Sequence, residues 1–182
     1  IAISNTGTGG RYGIQCAMAI AATQCDVVGN LLITPHENGV IYGTNSTVTK
    51  VRHNTIISPG LEGIWSGNNG AGVSLENNII STTYSQCIDK QTNNVERYND
   101  LYGCSTPVAN SDTPTSAGTG TVTNNPNLTS TYSTPANSSL RRAGIANGWC
   151  LDARGRPCWN PPDIGSYQAT SGDPANTRSV RQ

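Results

Sequence analysis

The chain contains no phenylalanine, one methionine and two histidines, and only 12% of its 182 residues are charged. With 35% hydrophobic residues, this is too little apolar bulk for a globule built around one large central core. The eleven Lys/Arg balance the eleven Asp/Glu, so nothing in the bulk electrostatics points to nucleic acid or an acidic membrane surface. No apolar run approaches the roughly 20 residues that a membrane-spanning helix needs; the longest small-apolar segment is Ala17 to Ala22. That segment reads as a tightly packed strand or, given its alanines, a short helix, with the strand preferred. There is no CxxC pair, and His36 and His53 lie far from most cysteines, so no metal site is expected.

What the sequence does contain is a repeat. Asn30, Asn54, Asn77 and Asn99 recur at intervals of 24, 23 and 22 residues. Each is followed by an apolar pair: Leu32-Ile33, Ile56-Ile57, Ile79-Ile80 and Leu101-Tyr102. A second stripe, Val40-Ile41, Ile64-Trp65 and Cys87-Ile88, recurs at 24 and 23 residues. Gly13-Ile14, Gly39-Val40 and Gly63-Ile64 share a Gly-apolar step. One asparagine and two short apolar stripes per period are what a chain needs to coil round a solenoid and lay each strand on the last. Stacked about 4.8 Å apart, the asparagine amides would hydrogen-bond along the ladder and to turn backbone. In this reading the column one after each asparagine (Leu31, Thr55, Asn78, Asp100) points outward.

The fold expected is therefore all-β, a right-handed parallel β-helix (solenoid) with an irregular C-terminal cap. Residues 1–104 form the rungs, 105–168 a loop and cap region packed on the solenoid, and 169–182 a polar tail. Apolar residues keep returning in the second part (Val122, Leu128, Tyr132, Leu140), and Trp149 and Trp159 flank a cysteine pair suited to closing an open β-end. The six cysteines fall as Cys16 with Cys25, Cys87 with Cys104 on successive rungs, and Cys150 with Cys158. Even number and grouping favour disulfides and an oxidising, hence extracellular or cell-surface, compartment. The chain opens at Ile1 without an initiator Met, as a processed chain or a piece of a longer one does.

Four passages carry a resemblance: the asparagine-centred rungs; Tyr98-Asn99-Asp100-Leu101-Tyr102-Gly103; the segment from Gly118 to Leu128; and Asp163-Ile164-Gly165-Ser166-Tyr167. Over residues 27–168 the chain resembles the C-terminal half of secreted right-handed parallel β-helix proteins, a group that includes pectate-lyase-like enzymes, surface proteins and phage tailspikes. For the lyases among them the resemblance implies β-elimination on acidic polysaccharides by a basic residue. Ca²⁺ or Arg/Lys neutralises the uronate.

The residues offering such chemistry are Lys50, Arg52 and His53 on one rung, Glu76 on the next and Tyr98 on the third; His53, Glu76 and Tyr98 would stack just before the asparagines. Polar residues on a solenoid exterior more often form a solvated face or opposite-charge ladders. The aspartates are scattered, so no Ca²⁺ site is identified, and Ca²⁺ is the one cofactor left open. Trp65, flanked by Gly63 and Gly67, with Tyr42 a rung earlier and Tyr84 a rung later, forms an alternative: an aromatic platform for sugar rings. The first expectation is thus a non-catalytic extracellular module contacting a polysaccharide or cell-surface glycan. A subunit self-associating through its solenoid ends comes second, and a polysaccharide lyase fragment third.

Overall fold

A computed structural model describes residues 2–4, 11–16, 26–42, 50–67, 72–81, 83, 85–135, 137–146 and 151–167. Among them there is no helix. The strands cycle in fixed order through three sheets, making a β-solenoid. Sheet I contains β1 (Ala2–Ser4), β4 (Leu31–Ile33), β7 (Thr55–Ile57), β10 (Ile79–Ser81) and β13 (Asp100–Tyr102). Sheet II contains β2 (Tyr12–Cys16), β5 (Asn38–Tyr42), β8 (Ile64–Ser66), β11 (Gln86–Lys90), β14 (Thr106–Asn110) and β15 (Thr113–Pro114). Sheet III contains β3 (Asp26–Val28), β6 (Lys50–Arg52), β9 (Ser74–Glu76) and β12 (Val95–Arg97). Pairing is parallel except between β14 and β15. The Ala17 to Ala22 segment lies outside the described residues, as does the 169–182 tail.

Three inward columns make the core. Leu32, Ile56, Ile80 and Leu101 come from sheet I, Val40, Ile64, Ile88 and Val108 from sheet II, and Val27, Val51 and Leu75 from sheet III. All are nearly or fully buried, and each such side chain contributes about 2 kcal/mol by leaving water. Glycines hold the corner between sheets I and II. A Cβ on Gly39 would come within 2.4 Å of Ile56 Cγ2, and one on Gly63 within 2.3 Å of Ile80 Cγ2. Cys87 stands one rung beyond, fully buried, and is bonded to Cys104 with 5.5 Å between Cα atoms. Cys16 and Cys158 are also disulfide-bonded, while Cys25 and Cys150 lie outside the described residues.

The asparagine ladder is present, with one change of member. Asn30, Asn54, Asn78 and Asn99 form it; Asn77 does not. Asn54 Oδ1 accepts from both the backbone N–H and the Nδ2 of Asn30, each at 3.0 Å. Asn78 does the same for Asn54, and Asn99 for Asn78. The amides of Asn54, Asn78 and Asn99 also donate to the carbonyls of Val27, Val51 and Leu75. Two adjacent asparagines, Asn77 and Asn78, made the reading slip by one residue, which moves side chains to the opposite face of a strand. The true sheet I core residue on that rung is therefore Ile80, not Ile79, and the second stripe continues as Ile88-Asp89 rather than Cys87-Ile88. Sheet III was not anticipated, because its strands β6 and β9 offer one apolar residue each, Val51 and Leu75, between polar neighbours and no apolar pair.

Strand pairing runs past residue 104. Strand β14 pairs with β11, and Val122 bridges to Asp100, with its N–H donating to Asn99 O and its carbonyl accepting from Leu101 N–H. Glu96, which replaces an aliphatic residue in the inward column of sheet III, ties down the crossing chain. Its carboxylate accepts from Gly118 N, Thr121 Oγ1 and Asn99 Nδ2, each at 2.6 Å. Thr121 Oγ1 in turn accepts from Asn99 N–H, standing where a further ladder asparagine would be. The C-terminal end of the described solenoid is thereby closed.

The described residues of the aromatic, proline-rich segment, 137–146 and 151–167, form a strap along the flank of sheet I. Leu140 and Ile164 pack on Ile79, with Val122, Leu128 and Ala143 around them. The outward column of sheet I (Leu31, Thr55, Ile79, Asp100) faces away from the solenoid core yet is buried.

Candidate functional site

Successive residues of a strand point to opposite faces. With Ile64 in the core, Trp65 projects from the outer face of sheet II and is half-buried. Its neighbours in register are Ile41 below and Asp89 above. Asp89 is buried and Asp112 N–H donates to its Oδ1 at 3.3 Å. Glu62, three residues before Trp65, is half-buried and accepts from Asn38 Nδ2. Burial raises the pKa of both carboxyls; Asn38 opposes the shift at Glu62, and the Asp112 N–H opposes it at Asp89. The charges of Asp89 and Asp112 add to the rise at Glu62, so the three acids act on one another. An aromatic face bordered by hydrogen-bond acceptors is suited to a sugar ring, whose C–H face stacks while its hydroxyls donate.

The proposed platform loses one member to the core. Tyr42 is fully buried, and its hydroxyl accepts from Asn94 Nδ2 at 2.8 Å. Burial pushes its phenol pKa up. A tyrosine whose polar tip has an internal partner packs inward like any large apolar residue. Tyr84 lies outside the described residues. Asp89 and Glu62 were missed as members of this face; counting 24 residues on from Trp65, the interval that relates Ile41 to Trp65, reaches Asp89.

The other candidate cluster is divided between two columns. Glu76 lies in register with Arg52 and Arg97 on sheet III. It is fully buried, with Arg52 Nε 2.9 Å from Oε2 and Arg97 Nε 2.6 Å from Oε1. Two guanidinium groups on one carboxylate make an ion-pair ladder, which engages its acceptors. Lys50 lies at the other end of the strand, 3.8 Å from Asp26. His53 and Tyr98 belong to a turn column instead. Gly29, His53, Asn77 and Tyr98 all adopt left-handed backbone, with φ of 70°, 55°, 58° and 54°.

His53 is buried, and its Nε2 accepts from Asn77 Nδ2 at 3.2 Å. The Asn77 amide is oriented by Ile145, whose N–H donates to Oδ1 and whose carbonyl accepts from Nδ2. An imidazole enclosed in this way is not placed to take a proton from a polymer on the surface. Tyr98 is half-buried against Gly120, where a Cβ would lie 2.6 Å from its ring. Thus the structure does not bring His53, Glu76 and Tyr98 into one proton-transfer cluster.

Among the described residues, no group of three His, Cys, Asp or Glu is placed to hold a metal ion, and no helix is long and apolar enough to cross a membrane. No family model, curated protein or solved structure matches the chain.

Proposed function

We propose that the chain is an extracellular β-solenoid module that contacts carbohydrate through the outer face of sheet II, without itself cleaving it. The observation carrying this reading is Trp65. It is a large aromatic projecting from the outer face of a stacked sheet, level with the buried Ile41 and Asp89, and it stays partly open to solvent. A ladder of parallel strands gives such a side chain a rigid base, so little ordering entropy is lost when a ring stacks on it. Glu62, partly exposed and three residues earlier in the chain, adds a carboxylate acceptor. The buried disulfide between Cys87 and Cys104 supports an oxidising compartment.

End-to-end growth into a filament draws no comparable support, since β15 and the Glu96-anchored crossing cover the C-terminal end of the described solenoid. The enclosed His53 and the arginine-bound Glu76 give elimination chemistry no support either.

The test is affinity electrophoresis against a panel of soluble neutral and acidic polysaccharides. Retardation by at least one polymer is expected, with Trp65→Ala weakening it about tenfold, the worth of one stacking contact. No retardation by any polymer, or equal retardation of wild type and Trp65→Ala, would remove the reading.

A further inference from the structure

The strap grips sheet I by several hydrogen bonds. The Gly165 N–H donates to Asn77 O at 2.8 Å, and Ser166 N–H to Thr55 Oγ1 at 2.9 Å. Ile145 and the Asn77 side chain form the reciprocal pair already described. Within the strap, Gly144 N–H donates to Pro162 O and Ile164 N–H to Leu140 O, so its two passes are joined. The strap reaches as far as the rung of Gly29, where a Cβ would lie 2.3 Å from Leu151 O.

One group between two residues that pack with the strap is left unmatched: Ile79 and Val122, which cluster with Leu140 and Ile164, flank Asp100 in register. Asp100, in the outward column beside Ile79 and Val122, has no solvent exposure, and neither carboxylate oxygen has a hydrogen-bond partner. A carboxyl in that position is tolerated when neutral and is costly when ionised.

The elements around Asp100 bring few charges. Strand β10 (Ile79–Ser81) carries none, and residues 118–128 carry no titratable side chain. On its own strand and the turn before it stand Tyr102 and Tyr98. The strap passes bring Arg141, Arg142 and Asp163. The backbone N–H of Arg142 donates to Asp163 Oδ1 at 2.9 Å, and its guanidinium carbon lies 6.0 Å from the Trp159 ring centroid. None of these compensates Asp100: burial acts alone and pushes its pKa up to about 7.

We propose that the strap formed by residues 137–146 and 151–167 is a pH-operated cover on the flank of sheet I, held closed while Asp100 is protonated and released as it ionises, baring Thr55 and Asn77. The sign follows from linkage. In the open form the carboxyl meets water and returns toward the usual value of about 3.9. Closure is therefore fully favoured below about pH 4, weakens up to tenfold per unit as pH rises toward 7, and is constant above that.

The experiment is amide hydrogen exchange by mass spectrometry on the full chain from pH 5 to 8, corrected for intrinsic exchange. Peptides covering 140–145 and 162–166 are compared with solenoid peptides covering 38–42 and 55–57. Opening of the strap peptides is expected to rise about 50-fold between pH 5 and 7 while the solenoid peptides rise far less. In Asp100→Asn the strap profile is expected to be flat. Asp100→Leu serves as a second variant, because Leu31 already occupies the same column. A flat wild-type profile, an unchanged rise in both variants, or strap and solenoid rising together would each overturn the proposal.

Discussion

Solenoid and strap bury polar groups by different means. In the solenoid an amide that satisfies one rung is repeated on the next. Asn78 accepts twice from Asn54 and donates to Val51 O and Asn99 Oδ1, and Asn54 does the equivalent one rung earlier. The strap has no period. Its contacts are made singly, and at its interface Asp100 and the Ser166 hydroxyl are buried without a partner. Repetition lets one solution serve every rung, whereas an aperiodic contact has to be solved residue by residue, and here part of it is not.

Four measurements would break or sharpen that contrast. Asn78→Ala has the largest expected effect, because it takes the side-chain partner from the Asn54 N–H and the Val51 carbonyl and removes one of the two bonds made by Asn54 Nδ2 and by Asn99 Oδ1. Each stranded buried group costs about 1–3 kcal/mol, so a loss of about 4 kcal/mol in denaturant unfolding is expected. Next comes Glu76→Ala, which leaves Arg52 largely enclosed without its anion. Equilibrium unfolding should show a loss of about 3 kcal/mol, near the lower end for a broken buried pair because Arg97 is partly solvated.

Replacing Cys87 and Cys104 together by alanine opens a link spanning 17 residues and should cost slightly less, about 2–3 kcal/mol. Asp100→Leu is expected to act in the opposite direction. It should stabilise the fold by about 2 kcal/mol at pH 8 and by much less at pH 5, where the wild-type carboxyl is neutral in the fold. Thermal unfolding of the pair at both pH values checks the sign. Equal effects at pH 5 and 8 would mean that the strap interface is as well matched as the ladder.

The periodic half was readable in the sequence and the aperiodic half was not. Asparagines about 24 residues apart with an apolar residue two later announce a coil, and the core residues Leu32, Ile56 and Leu101 follow from it. The errors arose where the period had two candidates: Asn77 and Asn78 are chemically identical, and only register shows that the first takes the left-handed turn and the second the ladder. The strap escaped because its partners are remote. Ser166 meets Thr55 across 111 residues and Ile145 meets Asn77 across 68, distances over which no local pattern carries information. Trp65 was visible as an unusual residue between glycines. The destination of Tyr42 was not, since Asn94, which satisfies its hydroxyl, lies 52 residues away.

Glu96 also bears on where the described stack of coils ends. At the equivalent inward position Val27, Val51 and Leu75 let another coil stack on top, so nothing in those side chains says where to stop. A carboxylate there cannot be overlaid by another aliphatic layer without losing Gly118 and Thr121 as donors. Glu96 is punctuation: it ends the aliphatic column of sheet III, among the described residues, with a polar side chain.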